Sequence, residues 1–173
     1  MRFRISADAF FQVNTAGADA LVRLVTQALE LGPQDVLLDA YSGGGLFSCT
    51  AGTSAGRIIA VESDEAALQD LRHNCQRTGV DARIVPGRFE EVAGDLGEYW
   101  TAAIVDPPRT GLGRSGVTAV TAAEPATVAY VSCDPASLGR DANLLAEAGY
   151  ELDWARPVDM FPQTFHVETV AVF

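Results

Sequence analysis

The chain has 173 residues, of which 48% are hydrophobic and 20% are charged, and its formal net charge is −11. This length and composition predict one globular domain with a sizeable core. No apolar run approaches the ~20 residues that a membrane span needs, so we expect no membrane association. The acidity argues against a free-standing nucleic-acid binder, because such proteins neutralise phosphates with a basic surface. If the protein acts on RNA, most of the binding must come from elsewhere.

Cysteine and histidine content predicts a reduced, cytoplasmic protein. The three cysteines lie far apart in the sequence, there are two histidines, and metal-ligand spacing is absent, which argues against zinc or an iron–sulfur cluster. Residues 1–8 lack the long apolar core of a secretory signal. Cys75 lies at helical spacing from Leu68 and Leu71, so it is expected in the core, as is Cys49.

Apolar periodicity and turn residues predict alternating helices and strands. Asn14 or Thr15 begins a first helix, which Gly32–Pro33 ends. The predicted strands cover residues 36–40, 57–62, 82–85, 101–106, 127–132, 150–157 and 167–173. The other predicted helices are a small-residue helix after Gly45, a helix over 64–78 capped by Ser63, a short helix at 89–92, and helices over 113–123 and 135–147. This order predicts an α/β fold with a doubly wound, mostly parallel sheet and an antiparallel final strand.

Polar or reactive residues lie at one predicted edge of this sheet. Ligands of such sheets bind outside the carboxyl ends of the parallel strands. The residues at those ends are Asp39, Glu62, Asp106 and Cys133, and an antiparallel last strand would add Glu168. Their convergence predicts a functional site at this edge.

The glycine run after the first strand predicts a cofactor site. Gly43–Gly44–Gly45 lets backbone approach a ligand closely, and Glu62 lies 19 residues beyond Gly43, which suits a carboxylate that binds ribose hydroxyls. Ser48 stands where a dinucleotide fingerprint has its third glycine, so an adenosine-type cofactor is favoured over a dinucleotide. The alternative is a tight turn followed by a surface glutamate.

Cys133 follows a predicted strand and precedes a helix that Asp134 can cap and Pro135 can begin. A thiol at a helix N-terminus is expected to favour the thiolate, because the helix dipole is positive there. The pattern therefore predicts a nucleophile, and the alternative is a buried, inert cysteine.

Two further residues are candidates for the same edge. Asp106 is followed by two prolines that make its loop rigid. Gln12 is a polar residue between Phe11 and Val13, so it either reaches a cofactor or packs at the edge.

Several motifs occur in an order that resembles one protein family. They are Phe10–Phe11–Gln12–Val13–Asn14, Asp39–Ala40–Tyr41–Ser42–Gly43, Asp106–Pro107–Pro108–Arg109, Ser132–Cys133–Asp134–Pro135 with Arg140–Asp141, and Phe161–Pro162–Gln163–Thr164 leading to His166–Val167–Glu168–Thr169. Together they closely resemble the RNA 5-methyluridine (uracil-5-) methyltransferases, S-adenosylmethionine-dependent enzymes that act on uridine in ribosomal and transfer RNA. The resemblance covers nearly the whole chain and implies the Rossmann-like, seven-stranded class I methyltransferase fold.

The resemblance also implies roles for individual residues. Cys133 would be the nucleophile that attacks carbon 6 of uracil, which makes carbon 5 reactive, and Glu168 would be the base that removes the proton from carbon 5. The residues expected to bind S-adenosylmethionine are Gln12, Tyr41, Gly43, Gly45, Glu62 and Asp106. His166 is expected to be structural, with RNA contact or proton relay as the alternative.

The chain departs from the family pattern in two respects. Family members usually carry an RNA-binding β-barrel and a central domain before the Phe–Phe–Gln motif, so we expect residues 1–173 to be the catalytic domain, either excised or naturally short. Asp134 replaces the usual Asn, Leu46 replaces a polar residue, and Arg88 stands where Asp or Asn commonly receives the adenine amine. Two other hypotheses therefore stay open: a small-molecule methyltransferase of the same fold, and a binding module without activity.

Overall fold

The structure is a computed structural model and describes residues 1–164 and 167–173. The helices in this part of the chain are α1 (Thr15–Leu29), α2 (Glu65–Thr78), α3 (Phe89–Val92), α4 (Gly113–Thr121) and α5 (Pro135–Glu147). The strands are β1 (Val36–Asp39), β2 (Arg57–Glu62), β3 (Ala82–Pro86), β4 (Ala102–Val105), β5 (Thr127–Ser132), β6 (Trp154–Val158) and β7 (Glu168–Val172). None of the described helices is long and apolar enough to cross a membrane.

The strands form one sheet in the order β3-β2-β1-β4-β5-β7-β6. Strands β1 to β5 pair in parallel, and β7 is antiparallel to both β5 and β6. The predicted α/β fold with an antiparallel last strand is thus confirmed. Because the strand order reverses between β1 and β4, the loops after these strands diverge and leave a crevice at their carboxyl ends.

Alternating residues of the central strand β1 serve two cores, one on each face of the sheet. Leu37 packs in a cluster with α1, and Leu38 packs in a cluster with α4 and α5. Cys75 on α2 and Cys49 are buried in one cluster, with their sulfur atoms 3.7 Å apart. The expectation that both cysteines are core residues is therefore confirmed.

Two local predictions are wrong. Ser63 does not cap α2; the Asp64 carboxylate does so by accepting a hydrogen bond from the Ala67 N–H at 2.8 Å. Asp is as good a cap as Ser and adds a negative charge at the positive end of the helix dipole. The small-residue helix after the glycine run is absent: successive turns cover residues 43–50, and a short 3₁₀ helix follows at Ala51–Ser54. Glycine and small polar residues have low helix propensity.

Element boundaries also differ from the predictions, most clearly at β6 and α4. Strand β6 begins at Trp154 rather than at Tyr150. The Tyr150 hydroxyl instead donates a hydrogen bond to the carbonyl of Pro125 at 2.9 Å, which anchors the turn before the strand. Helix α4 ends at Thr121, two residues before the predicted end.

Candidate active site

A pocket of about 1100 Å³ opens at the carboxyl ends of the parallel strands, where the sequence predicts the site. The predicted site residues that line it are Gln12, Tyr41, Gly43, Glu62, Asp106, Cys133 and Glu168. Pockets for single drug-sized ligands measure about 300–1,000 Å³. This pocket is therefore at the large end of the range for a ligand site.

The Glu62 carboxylate is held by backbone amides at the end of β2. One oxygen accepts a hydrogen bond from Gly43 N at 2.8 Å, and the other accepts from Ser63 N and Asp64 N, each at 2.7 Å. A carboxylate has about four lone-pair sites, so a ligand hydroxyl can still donate to this fixed group. The glycine loop and the carboxylate thus form one rigid wall of the pocket.

The loop glycines have different surroundings. Gly43 lines the pocket with φ +51°, and a Cβ there would meet nothing within 4 Å. Gly45 has φ +91°, and a Cβ there would lie 2.8 Å from Leu71 Cδ1. Gly45 is buried behind the pocket wall instead of lining the pocket, and Gly44 lines the pocket in its place. Gly45 therefore shapes the loop through its backbone and its lack of a side chain.

Tyr41 is joined to a pocket residue that the sequence did not reveal. Its hydroxyl donates a hydrogen bond to Glu90 Oε1 at 2.6 Å, and its ring meets Phe89 edge-on at 5.9 Å. Burial, followed by the Glu90 hydrogen bond, raises the pKa of Tyr41, so the phenol stays protonated. In the sequence, Glu90 has the pattern of an ordinary acidic residue in a helix's first turn, which gives no signal of a pocket role.

Gln12 is 6% exposed and presents an unsatisfied acceptor. Its Oε1 has no hydrogen-bond partner among the described residues. A buried polar atom without a partner costs about 1–3 kcal/mol. A ligand that donates a hydrogen bond to this oxygen would recover that cost.

Asp106 lies at the pocket on the loop after β4. Burial raises its pKa well above the ordinary value, and the negative charges of Glu168 and Asp39 raise it further. The loop is fixed by a fully buried carboxylate on α5: Asp141 accepts hydrogen bonds from Leu112 N at 2.7 Å and Gly113 N at 3.1 Å. The two prolines after Asp106 are thus one of two restraints on this loop.

Cys133 and Glu168 are brought together by strand register. Ser132 on β5 pairs with Thr169 on β7, so Cys133 and Glu168 are the next residues on the two antiparallel strands. Both line the pocket. Since Glu168 Oε2 has no partner among the described residues, its carboxylate is available to a group in the pocket.

The prediction that Cys133 favours the thiolate is wrong. Burial raises the pKa of the Cys133 thiol, and the charges of Glu168 and Asp106 raise it further, whereas the charge of Arg109 opposes the shift. Asp134 occupies the helix N-cap, where its carboxylate accepts from Ser137 N at 2.7 Å. Burial, together with the charges of the two carboxylates, therefore outweighs the effect of the dipole on the thiol.

The Glu168 carboxyl has the properties of a proton acceptor. It is 4% exposed, and burial raises its pKa, partly offset by the charge of Arg109. A raised carboxyl pKa in a pocket suits general-base chemistry near neutral pH, because such a group binds a proton more strongly than an ordinary carboxylate does.

The pocket is suited to a cationic ligand with hydrogen-bond donors. Buried side-chain oxygens without a partner among the described residues are Gln12 Oε1, Asp39 Oδ1 and Glu168 Oε2. Each of them is an acceptor, so each needs a donor. Asp39 lies outside the pocket lining, and its other oxygen accepts hydrogen bonds from the Ser48 N–H and hydroxyl. Its charge nevertheless raises the pKa of Asp106. In the described part of the chain, no group of three or more His, Cys, Asp or Glu is placed to hold a metal.

The residues that depart from the family pattern have defined positions. Leu46 and Arg88 both line the pocket. Arg88 Nε lies 3.5 Å from Glu91 Oε1, and both side chains are exposed. Asp134 is committed to helix capping, and those hydrogen bonds lower its pKa. His166, predicted to be structural, lies outside the described residues.

Comparison with solved structures identifies the fold as that of class I methyltransferases. The Pyrococcus abyssi tRNA (uracil-54, C5)-methyltransferase in complex with S-adenosyl-L-homocysteine superimposes with a TM-score of 0.85 and 33% identity, over 98% of this chain and 41% of that one. The precorrin-8W decarboxylase of Methanobacterium thermoautotrophicum has a TM-score of 0.77 at 16% identity, over 98% of this chain and 94% of that one. At that identity the likeness concerns the fold alone.

Sequence comparison defines the family. The model of the tRNA (Uracil-5-)-methyltransferase family matches residues 1–173, and the chain belongs to this family. Uncharacterized RNA methyltransferases from Clostridium acetobutylicum and Lactobacillus johnsonii are 37% and 39% identical over 99% and 98% of this chain. The chain spans only 38% and 39% of the length of these two relatives.

Proposed function

We propose that this chain is the catalytic part of an enzyme that methylates carbon 5 of a uridine in ribosomal or transfer RNA, with S-adenosylmethionine as the methyl donor. The observation that supports this most directly is the placement of Cys133 and Glu168 on adjacent strands at one pocket. Membership of the uracil-5-methyltransferase family supports uracil as the base.

The pocket residues fit S-adenosylmethionine. Glu62 is a fixed acceptor for ribose hydroxyls, Gln12 Oε1 needs a donor, and Asp106 is a carboxyl suited to a positive charge. When bound, the cofactor supplies an electrophilic methyl group to carbon 5 and leaves as a neutral thioether.

Cys133 activates the base in this proposal. Its thiol first loses a proton to solvent, which is accessible because the side chain is only partly buried. The thiolate then forms a bond from Sγ to carbon 6 of uracil, and the electrons of the C5–C6 double bond move toward the carbonyl at carbon 4 as an enolate. Carbon 5 becomes the nucleophile that accepts the methyl group.

Glu168 completes the reaction. It removes the remaining proton from carbon 5 of the methylated adduct, the C5–C6 double bond re-forms, and the bond between Sγ and carbon 6 breaks. The step leaves the Cys133 thiolate and a protonated Glu168 on the protein, and a 5-methyluridine in the RNA. The raised pKa of Glu168 supports this role, because it strengthens the carboxylate as a base.

RNA binding is proposed to rest mainly on parts of the protein beyond this chain. The net charge of −11 provides little attraction for phosphate. The relatives are more than twice as long, which leaves room for an RNA-binding domain before the catalytic one. Three arginines, Arg88, Arg109 and Arg140, line the pocket and place positive charge where the target nucleotide would bind.

A covalent trap tests the proposal. Full-length protein is incubated with S-adenosylmethionine and 5-fluorouridine RNA, as transfer RNA in one arm and ribosomal RNA fragments in the other. Because fluorine cannot leave as a proton does, a complex that survives denaturation is expected with wild type and not with Cys133→Ala. The same yield from both proteins would contradict the proposal.

Glu168→Gln is the matched control with ordinary uridine RNA. This variant keeps the nucleophile but cannot accept the proton from carbon 5, so a methylated covalent complex should accumulate. Methyl transfer to small phenols or amines that is unaffected by Cys133→Ala would instead favour the small-molecule hypothesis.

A further inference from the structure

Residues 4–14, which we name the N-terminal strap, contain no helix or strand and run along the pocket before α1. The strap residues that line the pocket are Asp8, Phe10, Phe11 and Gln12. Such a segment has no ladder of backbone hydrogen bonds, so its position depends on side chains of neighbouring elements.

Helix α2 supplies those side chains from two positions one turn apart. Asp70 is 1% exposed and accepts hydrogen bonds from Ser6 N at 2.5 Å and Ser6 Oγ at 2.9 Å. It also forms an ion pair with Arg4 Nε at 3.0 Å. The start of the strap is therefore tied to the face of α2 that carries these residues.

Asn74 makes the second and more informative contact. Its side chain is fully buried and pairs with the backbone of Arg4, accepting from Arg4 N at 2.7 Å and donating to Arg4 O at 3.0 Å. The same amide group donates to Gly44 O at 2.8 Å. One amide thus bridges the strap and the glycine loop, two separate segments that line the same pocket.

We propose that Asn74 is a positioning residue for the cofactor, which joins the strap to the glycine loop so that both keep their binding geometry. This inference rests on the proposed function, because the pocket is taken to bind S-adenosylmethionine. The physical reason is that a fully buried amide is stable only with its partners in place, so displacement of either segment leaves polar groups unsatisfied. Strap and loop are therefore expected to move together.

Two substitutions test the bridge from opposite sides. Asn74→Leu keeps the number and branching of the side-chain heavy atoms and removes the three hydrogen bonds. Arg4→Pro removes the backbone N–H that donates to Asn74, at a position outside every helix and strand. Because it also removes the ion pair with Asp70, it is compared with Arg4→Ala, which loses that ion pair and keeps the N–H. Arg2→Pro is the matched control, since it places the same ring two residues earlier, at an exposed position.

Binding of S-adenosyl-L-homocysteine to full-length protein is measured by calorimetry. We expect Asn74→Leu and Arg4→Pro to raise Kd at least tenfold, Arg4→Ala to raise it less than Arg4→Pro does, and Arg2→Pro to change it less than twofold. Hydrogen exchange should become faster in Asn74→Leu within both the strap and residues 43–45. Kd values within twofold of wild type for both variants, or faster exchange in the strap alone, would overturn the inference. Absence of binding by wild type would contradict the proposed function instead.

Discussion

The Asp141 carboxylate on α5 accepts a hydrogen bond from the Leu112 N–H at 2.7 Å and so ties the loop after β4 to the helix after β5. The hydroxyl of Tyr130 donates to the same carboxylate at 2.8 Å. Asp106 is the first residue of the loop after β4, and Cys133 is the first residue after β5. The relative position of two pocket residues therefore depends on one buried carboxylate outside the pocket.

Asp141→Asn should destabilise the protein by about 2–4 kcal/mol. Both carboxylate oxygens now accept hydrogen bonds, and in the variant one of them becomes an amide nitrogen, which cannot accept. Urea denaturation followed by circular dichroism measures the change. Arg114→Ala is the control: it breaks an exposed ion pair with Glu147 that also joins α4 to α5, and it should cost less than about 1 kcal/mol. Equal losses would contradict the role given to Asp141.

The reactivity of Cys133 should respond to the charges around it. Glu168→Gln removes a carboxylate that raises the pKa of Cys133, so the thiolate fraction at pH 7.5 should increase. Arg109→Ala removes a charge that lowers that pKa and should have the opposite effect. We expect iodoacetamide to modify Cys133 about three to ten times faster in the first variant and more slowly in the second.

Mass spectrometry of the alkylated peptide follows this reaction separately from the other two cysteines. Cys49 and Cys75 are buried and should stay unmodified in the folded protein. A faster reaction in Arg109→Ala, or no change in Glu168→Gln, would show that these charges do not control the thiol.

The two glycines of the loop should tolerate a methyl group differently. Gly43→Ala adds a side chain into open space at φ +51° and should cost about 1–2 kcal/mol, the ordinary cost of a left-handed residue. Gly45→Ala adds the same group at φ +91° against Leu71 and should cost at least about 3 kcal/mol. Urea denaturation of both variants provides the comparison, and similar losses would contradict the geometry.

The free energy of unfolding should depend on the protonation of Asp39. Burial raises its pKa from 3.8 to about 6, so the folded state binds this proton more tightly than the unfolded state does. The contribution of Asp39 to stability is present below pH 4 and is lost as the pH rises through 6, by up to about 3 kcal/mol.

Asp39→Asn removes this titration while keeping an oxygen that can accept the Ser48 N–H. Relative to wild type, the variant should gain stability between pH 4.5 and pH 7.5, as measured by urea denaturation at both pH values. A constant difference between the two proteins across that range would show that Asp39 keeps an ordinary pKa.

Much of the site could be predicted from the sequence, because the sheet topology alone brings several of its residues to one edge. Alternating strands and helices place Glu62, Asp106 and Cys133 at one edge. Because the sequence shows no helical pattern before the last strand, that strand is predicted to be antiparallel, which places Glu168 there as well. Side-chain pairs distant in sequence gave no such signal. Tyr41 and Glu90 are 49 residues apart, and their hydrogen bond follows from packing that no periodicity encodes.

The direction of the Cys133 pKa shift also could not be predicted from the sequence. A helix start is visible in the sequence, whereas the burial of the thiol and its distances from the surrounding carboxylates depend on the tertiary structure. The role of Asn74 could not be predicted for a related reason. A polar residue on a helix is usually exposed, whereas this one is buried beneath the strap.

The concentration of carboxylates around the pocket bears on how a turnover would end. In the proposed reaction the donor arrives as a sulfonium cation and departs without that charge. Asp106 and Glu168 would attract the first form and gain nothing from the second, so methyl transfer itself would weaken the attachment of the spent donor. Release of the demethylated cofactor would then need no separate conformational change of the protein.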